Sequence, residues 1–152
     1  MKGKGFKDRL RLVAKKLAGI DLKNSTRERA HMINVGVIGY GYWGPNVARN
    51  FHASQGVALT SVSDISERRL KLAETHYPFV KGYRDHADLI CSKDVDVVAV
   101  VTPVFSHYEL AKKALENGKH VFVEKPFTAT IAEAEELIEI AERKNLTIMV
   151  DH

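Results

Sequence analysis

The chain has 152 residues, 45% of them hydrophobic and 28% charged, a size and balance that fit one globular domain with its own core. No apolar run approaches the roughly 18 residues a membrane-spanning helix needs. Cys91 is the single cysteine, so no intrachain disulfide forms, which fits a reducing, cytoplasmic compartment. The net charge of +4 is uneven: residues 1–31 hold ten Lys or Arg against Asp8, Asp21 and Glu28, a balance of +7, so the remainder carries −3 and does not point to nucleic acid.

In the basic leader, Phe6, Leu10, Val13 and Leu17 fall on one helical stripe. Such a helix either docks on a partner or a membrane surface, or belongs to a dispensable extension. Met32 stands directly before the first strand signal, where a domain naturally begins. A secretory signal is not expected, since no continuous apolar core of about seven residues is present.

Residues 33–38 (Ile-Asn-Val-Gly-Val-Ile) read as a buried strand, and Gly39-Tyr40-Gly41-Tyr42-Trp43-Gly44 follows it directly. Pro45 and then Val47, Ala48 and Phe51 predict a helix over 45–54, residues 57–63 a second strand, and Asp64 stands 20 residues after Gly44. Strand, glycine turn, helix, strand and acid in that spacing are the fingerprint of a dinucleotide-binding βαβ unit. Gly39 permits the tight turn, Gly41 lets a pyrophosphate approach the backbone, and Gly44 lets the helix pack close to the strand. Pro45 suits the first helical turn, and the helix N-terminus offers its free N–H groups and dipole to phosphate. Asp64 accepts from ribose hydroxyls and repels a 2′-phosphate, which favours NAD over NADP; Arg68 and Arg69 close behind soften that preference. Tyr42 and Trp43 either pack over the pyrophosphate or fill the loop.

Further on, Ser66 is expected to cap a helix over 67–75, residues 79–80 to form a short strand, and Asp85 to cap a helix through Leu89-Ile90. Cys91 is expected to be a buried filler. Residues 95–101 (Val-Asp-Val-Val-Ala-Val-Val) read as a fully buried strand. Ser106 and Glu109 suggest a capping box for a helix that Gly118 ends, residues 120–123 a strand, Thr130 and Glu133 a second capping box, and residues 147–150 a last strand. The alternation predicts an α/β fold, a doubly wound and mainly parallel sheet with helices on both faces. None of the histidines has metal-ligand spacing.

Glu124-Lys125-Pro126 follows the fifth strand. A residue before proline is biased towards extended backbone, so Lys125 projects from the carboxyl edge of the sheet, where the nicotinamide end of a dinucleotide would lie. Desolvation and the positive charge of an oxidised nicotinamide both lower a lysine pKa, leaving a neutral amine that can take the proton of a hydroxyl as hydride leaves. His107 in a first helical turn and His152 at a strand end are each either ligand contacts or ordinary packed or frayed residues.

The stretch Gly39 to Phe51, Thr102-Pro103 with His107, and Gly118 to Pro126 together resemble the Gfo/Idh/MocA oxidoreductases, from about Met32 to His152. That resemblance implies NAD(P)-dependent oxidation of a sugar, cyclitol or sugar-nucleotide hydroxyl. It matches Lys125 to the family's catalytic or substrate-orienting lysine, and Thr102, Pro103, His107 and Glu124 to positions lining the nicotinamide end. Val104 departs from the Asn that many members carry after Thr-Pro. Members also carry a second α/β domain that supplies the substrate pocket. Residues 1–31 are accordingly read as an extension and residues 32–152 as a Rossmann dinucleotide-binding domain whose substrate domain is absent from the sequence, so that the fragment is inactive by itself. The alternative is a non-catalytic dinucleotide-binding module that pairs with another copy or another chain.

Overall fold

The computed structural model describes residues 32–151. The amphipathic stripe expected between Phe6 and Leu17, His31 and His152 lie outside the described residues. The elements run β1 (Ile33–Ile38), α1 (Gly44–His52), β2 (Val57–Ser63), α2 (Glu67–His76), β3 (Lys81–Tyr83), α3 (His86–Cys91), β4 (Val97–Val100), a 3-10 turn (Val104–Ser106), α4 (His107–Glu116), β5 (His120–Val123), α5 (Ile131–Lys144) and β6 (Ile148–Val150).

All six strands are parallel, in the order β3-β2-β1-β4-β5-β6. This is the doubly wound Rossmann arrangement, in which the strand order reverses between β1 and β4. The strands are short, β-branched and buried, so each face of the sheet needs helices to cover it. On one face α1 and α2 deliver Val47, Ala48, Phe51, Leu70 and Ala73 onto the β1, β2 and β4 side chains. Phe51 meets Phe122 of β5 edge to face at 5.3 Å. On the other face α3, α4 and α5 bring Leu89, Ile90, Leu110, Leu115, Leu137 and Ile140 onto Val98, Val100, Val121 and Val123. Alternation along β5 therefore sends Phe122 to the first face and Val121 and Val123 to the second.

The helix ends explain why the elements stop where they do. Thr130 and Glu133 form the expected reciprocal capping box, and Asp85 accepts from the Ala87 amide. Gly118, at φ 74°, ends α4 with the Gly118 amide on the Leu115 carbonyl and the Lys119 amide on the Ala114 carbonyl. Asn145 does the same for α5 at φ 55°.

Four local expectations are corrected. The third strand is Lys81–Tyr83, which pairs with Ser61–Ser63, and not residues 79–80; Phe79 instead stacks on His52 at 5.3 Å, outside the sheet. Neither Ser66 nor Ser106 caps its helix with its side chain. The Ser66 amide is held by Asp64, and the Ser106 hydroxyl turns back to Thr102 and Pro103. Cys91 is exposed, because Leu89 and Ile90 take the inner face of the short α3. No helix among the described residues is long and apolar enough to cross a membrane.

Candidate functional site

The loops that follow the carboxyl ends of β1, β2, β4 and β5 share one edge of the sheet. The β1 loop turns on Gly39, whose φ of 97° suits only glycine, and a Cβ there would sit 2.5 Å from the Val101 carbonyl oxygen. That close approach is where β1 and β4 diverge, at the switch point. A Cβ on Gly44 would collide with the Gly39 carbonyl, so α1 can start this close to β1 only with glycine there. Gly41 is different: its Cβ direction meets only the Arg69 guanidinium, at 3.6 Å and beyond. The Asn46 and Val47 amides return to the Trp43 carbonyl at 3.0 Å each and begin the helix.

Tyr40, Tyr42 and Trp43 part company. Tyr40 enters the core at 1% exposure and places its hydroxyl 3.1 Å from His76 Nδ1. Burial first, and then the neighbouring Tyr77, push that phenol up to about 12. Tyr42 and Trp43 pack on one another edge to face at 5.0 Å and stay exposed.

Asp64 binds β2 to this loop. Its Oδ2 accepts from the Tyr40 amide and its Oδ1 from the Ser66 amide, both at 2.8 Å. The carboxylate is buried, and Arg69 Nη1 lies 3.7 Å from Oδ2 on its outer side. Among the described residues Arg68 makes no ion pair. Next to Asp64, Ile65, Arg84, Asp85 and His86 line an open hollow of about 400 Å³ between the β2 and β3 ends. The sequence reading missed that hollow, although an apolar residue directly after the strand-end acid is a signal for it.

The β4 and β5 loops are laced together by His107. Its ring is 1% exposed, with Nε2 at 2.7 Å from the Thr102 carbonyl and Nδ1 at 2.9 Å from the Pro126 carbonyl. Both ring nitrogens of His107 are thus taken up by the two turns it joins. Thr102 Oγ1 shares a hydrogen bond with Ser106 Oγ at 2.7 Å, and Pro103 lies exposed beside it. The Lys125-Pro126 peptide is cis. Lys125 is exposed, so the desolvation asked of it must come from whatever covers the edge.

Glu124 is buried, and its Oε2 has no hydrogen-bond partner. Burial first, then the charge and hydrogen bond of Asp151 beside it, hold its carboxyl above the ordinary range; the amide and charge of Lys125 act the other way. Asp151, at the end of β6, was not singled out in the sequence. Among the described residues no group of three or more His, Cys, Asp or Glu could hold a metal. The left-handed turn at Gly39, the room over Gly41 and the acceptor at Asp64 fit a dinucleotide laid across the β1 end, and the hollow beside Ile65 fits its adenosine end.

Residues 33–152 match the sequence model described as "Oxidoreductase family, NAD-binding Rossmann fold", GFO_IDH_MocA. The chain is 36% identical over 125 residues to the uncharacterized oxidoreductase YdgJ of Escherichia coli, covering 79% of this chain and 34% of that protein. It is 37% identical over 120 residues to an inositol 2-dehydrogenase of Salmonella paratyphi B, covering 78% and 35%. Among solved structures, KijD10, a 3-ketoreductase from Actinomadura kijaniata in complex with NADP and TDP-benzene, superposes with a TM-score of 0.75 at 29% identity, covering 78% of this chain and 37% of that one. The chain thus spans about a third of the length of the relatives it matches.

Proposed function

The chain belongs to the Gfo/Idh/MocA oxidoreductase family, and from that premise we propose that residues 32–152 are the cofactor half of an NAD(P)-dependent dehydrogenase acting on a hydroxyl of a sugar, cyclitol or sugar-nucleotide. One observation carries the reading: the glycine turn with its strand-end acid and the Glu124-Lys125-Pro126 turn lie on the same carboxyl edge, on either side of the switch point. The inositol dehydrogenase and ketoreductase relatives favour the substrate class.

A bound oxidised nicotinamide supplies the hydride acceptor. The chain's own residues do the rest. The loop from Gly39 to Gly44 and the α1 N-terminus hold the pyrophosphate. Asp64 receives the adenosine ribose hydroxyls on the lone pairs its two amide bonds leave free. Hydrogen bonds to a charged group contribute about 1.5–3 kcal/mol each, so losing one to a 2′-phosphate favours NAD over NADP by about tenfold or more. Arg69 opposes that preference by offering the phosphate a cation. Lys125 takes the proton of the substrate hydroxyl, while Thr102, Pro103 and His107 shape the turn beneath the nicotinamide. Substrate orientation is a large share of any rate enhancement and comes from a second domain outside these residues, so the 152-residue chain alone binds cofactor without turnover. The compartment is a reducing cytoplasm.

Trp43 is the only tryptophan and lies in the phosphate loop, 52% exposed. Titration with NADH and with NADPH, followed by Trp43 emission and energy transfer to the reduced ring, is expected to saturate with tighter binding of NADH. If neither cofactor perturbs the folded protein, the dinucleotide reading fails. Robust sugar oxidation by this chain alone would overturn the need for a second domain.

A further inference from the structure

We infer that Ser106 makes the Thr102 hydroxyl a fixed hydrogen-bond acceptor, which receives an N–H of the nicotinamide carboxamide and so sets which end of that amide faces β4. The carboxamide contact rests on the dinucleotide reading of this edge; the polarity of the hydroxyl does not.

The polarity follows from where the hydroxyl hydrogens must lie. A hydroxyl carries a single hydrogen and accepts on its lone pairs, whereas a backbone carbonyl only accepts. Ser106 Oγ lies 2.8 Å from the Pro103 carbonyl oxygen, so the hydrogen in that contact is the serine's own. Thr102 Oγ1 lies 2.7 Å from Ser106 Oγ. With the serine hydrogen already placed on Pro103, the hydrogen in this second contact is the threonine's. Donation therefore runs one way, from Thr102 to Ser106 to Pro103, and each bond of such a chain polarises the next. The Thr102 hydroxyl is left with lone pairs to offer and no hydrogen.

The rest of the turn holds that arrangement. The Pro103 carbonyl also accepts the Ser106 amide at 3.0 Å, which seats Ser106 over it. The Thr102 carbonyl lies 2.7 Å from His107 Nε2, which fixes the backbone of the threonine. Its methyl stands at the switch point, 3.0 Å from where a Cβ on Gly39 would be. The side chain thus has its methyl beside the β1 turn and its hydroxyl at the start of α4, while the residue remains half-buried at the edge. The next three residues add no competing side-chain donor, since Pro103 lacks even an N–H and Val104 and Phe105 are apolar.

A ligand group that pairs with Thr102 Oγ1 must therefore donate. The nicotinamide half of a dinucleotide belongs on this side of the switch point, where β4 and β5 lie and Glu124-Lys125-Pro126 follows. It carries two kinds of donor, ribose hydroxyls and the carboxamide nitrogen. A ribose hydroxyl rotates to donate or accept and gains nothing from a partner of fixed sign. The carboxamide has a donating end and an accepting end. A threonine free to rotate would take either end; one that only accepts takes the nitrogen end alone. A site built to pair with an N–H rejects an analogue without it, because its own polar group is then left unpaired. Thr102 makes this contact, and Ser106 is a positioning residue that acts through it.

The test uses the 152-residue chain, with Kd for NADH and for reduced 3-acetylpyridine adenine dinucleotide measured by calorimetry. The analogue keeps the carbonyl and carries a methyl group in place of the amide nitrogen. The wild type is expected to bind it about tenfold more weakly than NADH, the loss of one hydrogen bond. Ser106→Ala frees the threonine hydrogen to meet the analogue's carbonyl, so the ratio should shrink to about threefold or less. Thr102→Ser keeps the hydroxyl and should keep the wild-type ratio, whereas Thr102→Val should abolish it. Equal affinities in the wild type overturn the carboxamide contact. An undiminished ratio in Ser106→Ala, with both ligands weakened alike, makes Ser106 a purely structural residue and overturns the fixed polarity. If neither dinucleotide binds a wild-type chain that circular dichroism shows to be folded, the dinucleotide reading fails and the carboxamide contact with it.

Discussion

The two edges of the same sheet are finished in opposite ways. At the amino edge the chain answers its own polar groups. The Asn34 amide donates to Asp96 Oδ2 at 2.8 Å, Lys119 Nζ donates to the Ser92 and Val95 carbonyls at 2.7 Å each, and the Thr147 amide donates to His120 Nδ1 at 3.0 Å. At the carboxyl edge Glu124 keeps an unanswered oxygen and an acid neighbour. Among the described residues, the four most exposed large apolar side chains, Tyr42, Ile65, Phe105 and Ile131 at 78–85%, all lie on the loops or helix start that follow β1, β2, β4 and β5. Isolated exposed apolar residues are ordinary, but their gathering on one edge marks a surface to be covered. One edge is closed by its own hydrogen bonds; the other keeps apolar side chains exposed and a buried acid oxygen without a donor.

The sharpest way to break this contrast is at Gly39. Gly39→Ala forces a Cβ against the Val101 carbonyl and strains a φ of 97°. Strain of this kind costs about 1–3 kcal/mol and overpacking a similar amount. Chemical denaturation should report that loss together with the disappearance of NADH quenching, since the loop itself moves. Lys119→Met attacks the other edge. It leaves two carbonyls without their charged donor and is expected to cost about 1.5–3 kcal/mol, read as a lower denaturation midpoint, with an unchanged Kd for NADH. If Lys119→Met weakened NADH binding as much as stability, the two edges would not be separable.

Asp64→Asn is milder and sharpens the contrast within the carboxyl edge. The amide can still accept from one of the Tyr40 and Ser66 amides, but it loses the charge that Arg69 faces and that the proposed ribose contact needs. NADH affinity in the Trp43 titration should fall about tenfold, or about 1.4 kcal/mol, while NADPH affinity holds or rises. Equal losses for both would mean that Asp64 serves only to fold the loop.

Much of this was written in local sequence. The glycine turn, the Asp85 cap, the Thr130–Glu133 box and the Gly118 stop all depend on residues within a few positions of one another, and local chemistry decides them. What escaped was decided by competing partners, some near and some distant in sequence. Ser66 and Ser106 have the composition of caps, yet Asp64 claims the amide of one and Thr102 the hydroxyl of the other. Phe79-Val80 has the apolarity of a strand, but His52 and Tyr77 draw Phe79 into an aromatic cluster, and Lys81 to Tyr83 reach β2 instead. The Glu124–Asp151 contact is set by strand register across 27 residues, for which no spacing rule exists.

The smallest effect is one of sign, and it separates the edges by pH alone. His120, at the amino edge, is held below its ordinary 6.5 by burial, against the pull of Asp96. The unfolded chain therefore binds that proton more readily, and the stability His120 contributes is present above 6.5 and lost as pH falls through its lowered value. Glu124, at the carboxyl edge, is held above its ordinary 4.5. Its contribution is present below 4.5 and lost as pH rises through the raised value. Glu136, lowered by Lys112 and Tyr108, titrates below 4.5 and leaves this window clear. In the range from pH 4.5 to 6.5, Glu124 thus makes stability fall with pH just above 4.5, and His120 makes it rise with pH just below 6.5. Glu124→Gln should leave stability rising with pH, and His120→Gln should leave it falling, in melting curves taken across that range. If both variants tilted the same way, the carboxyl edge would not hold a strained acid, and the two edges would differ in exposure alone.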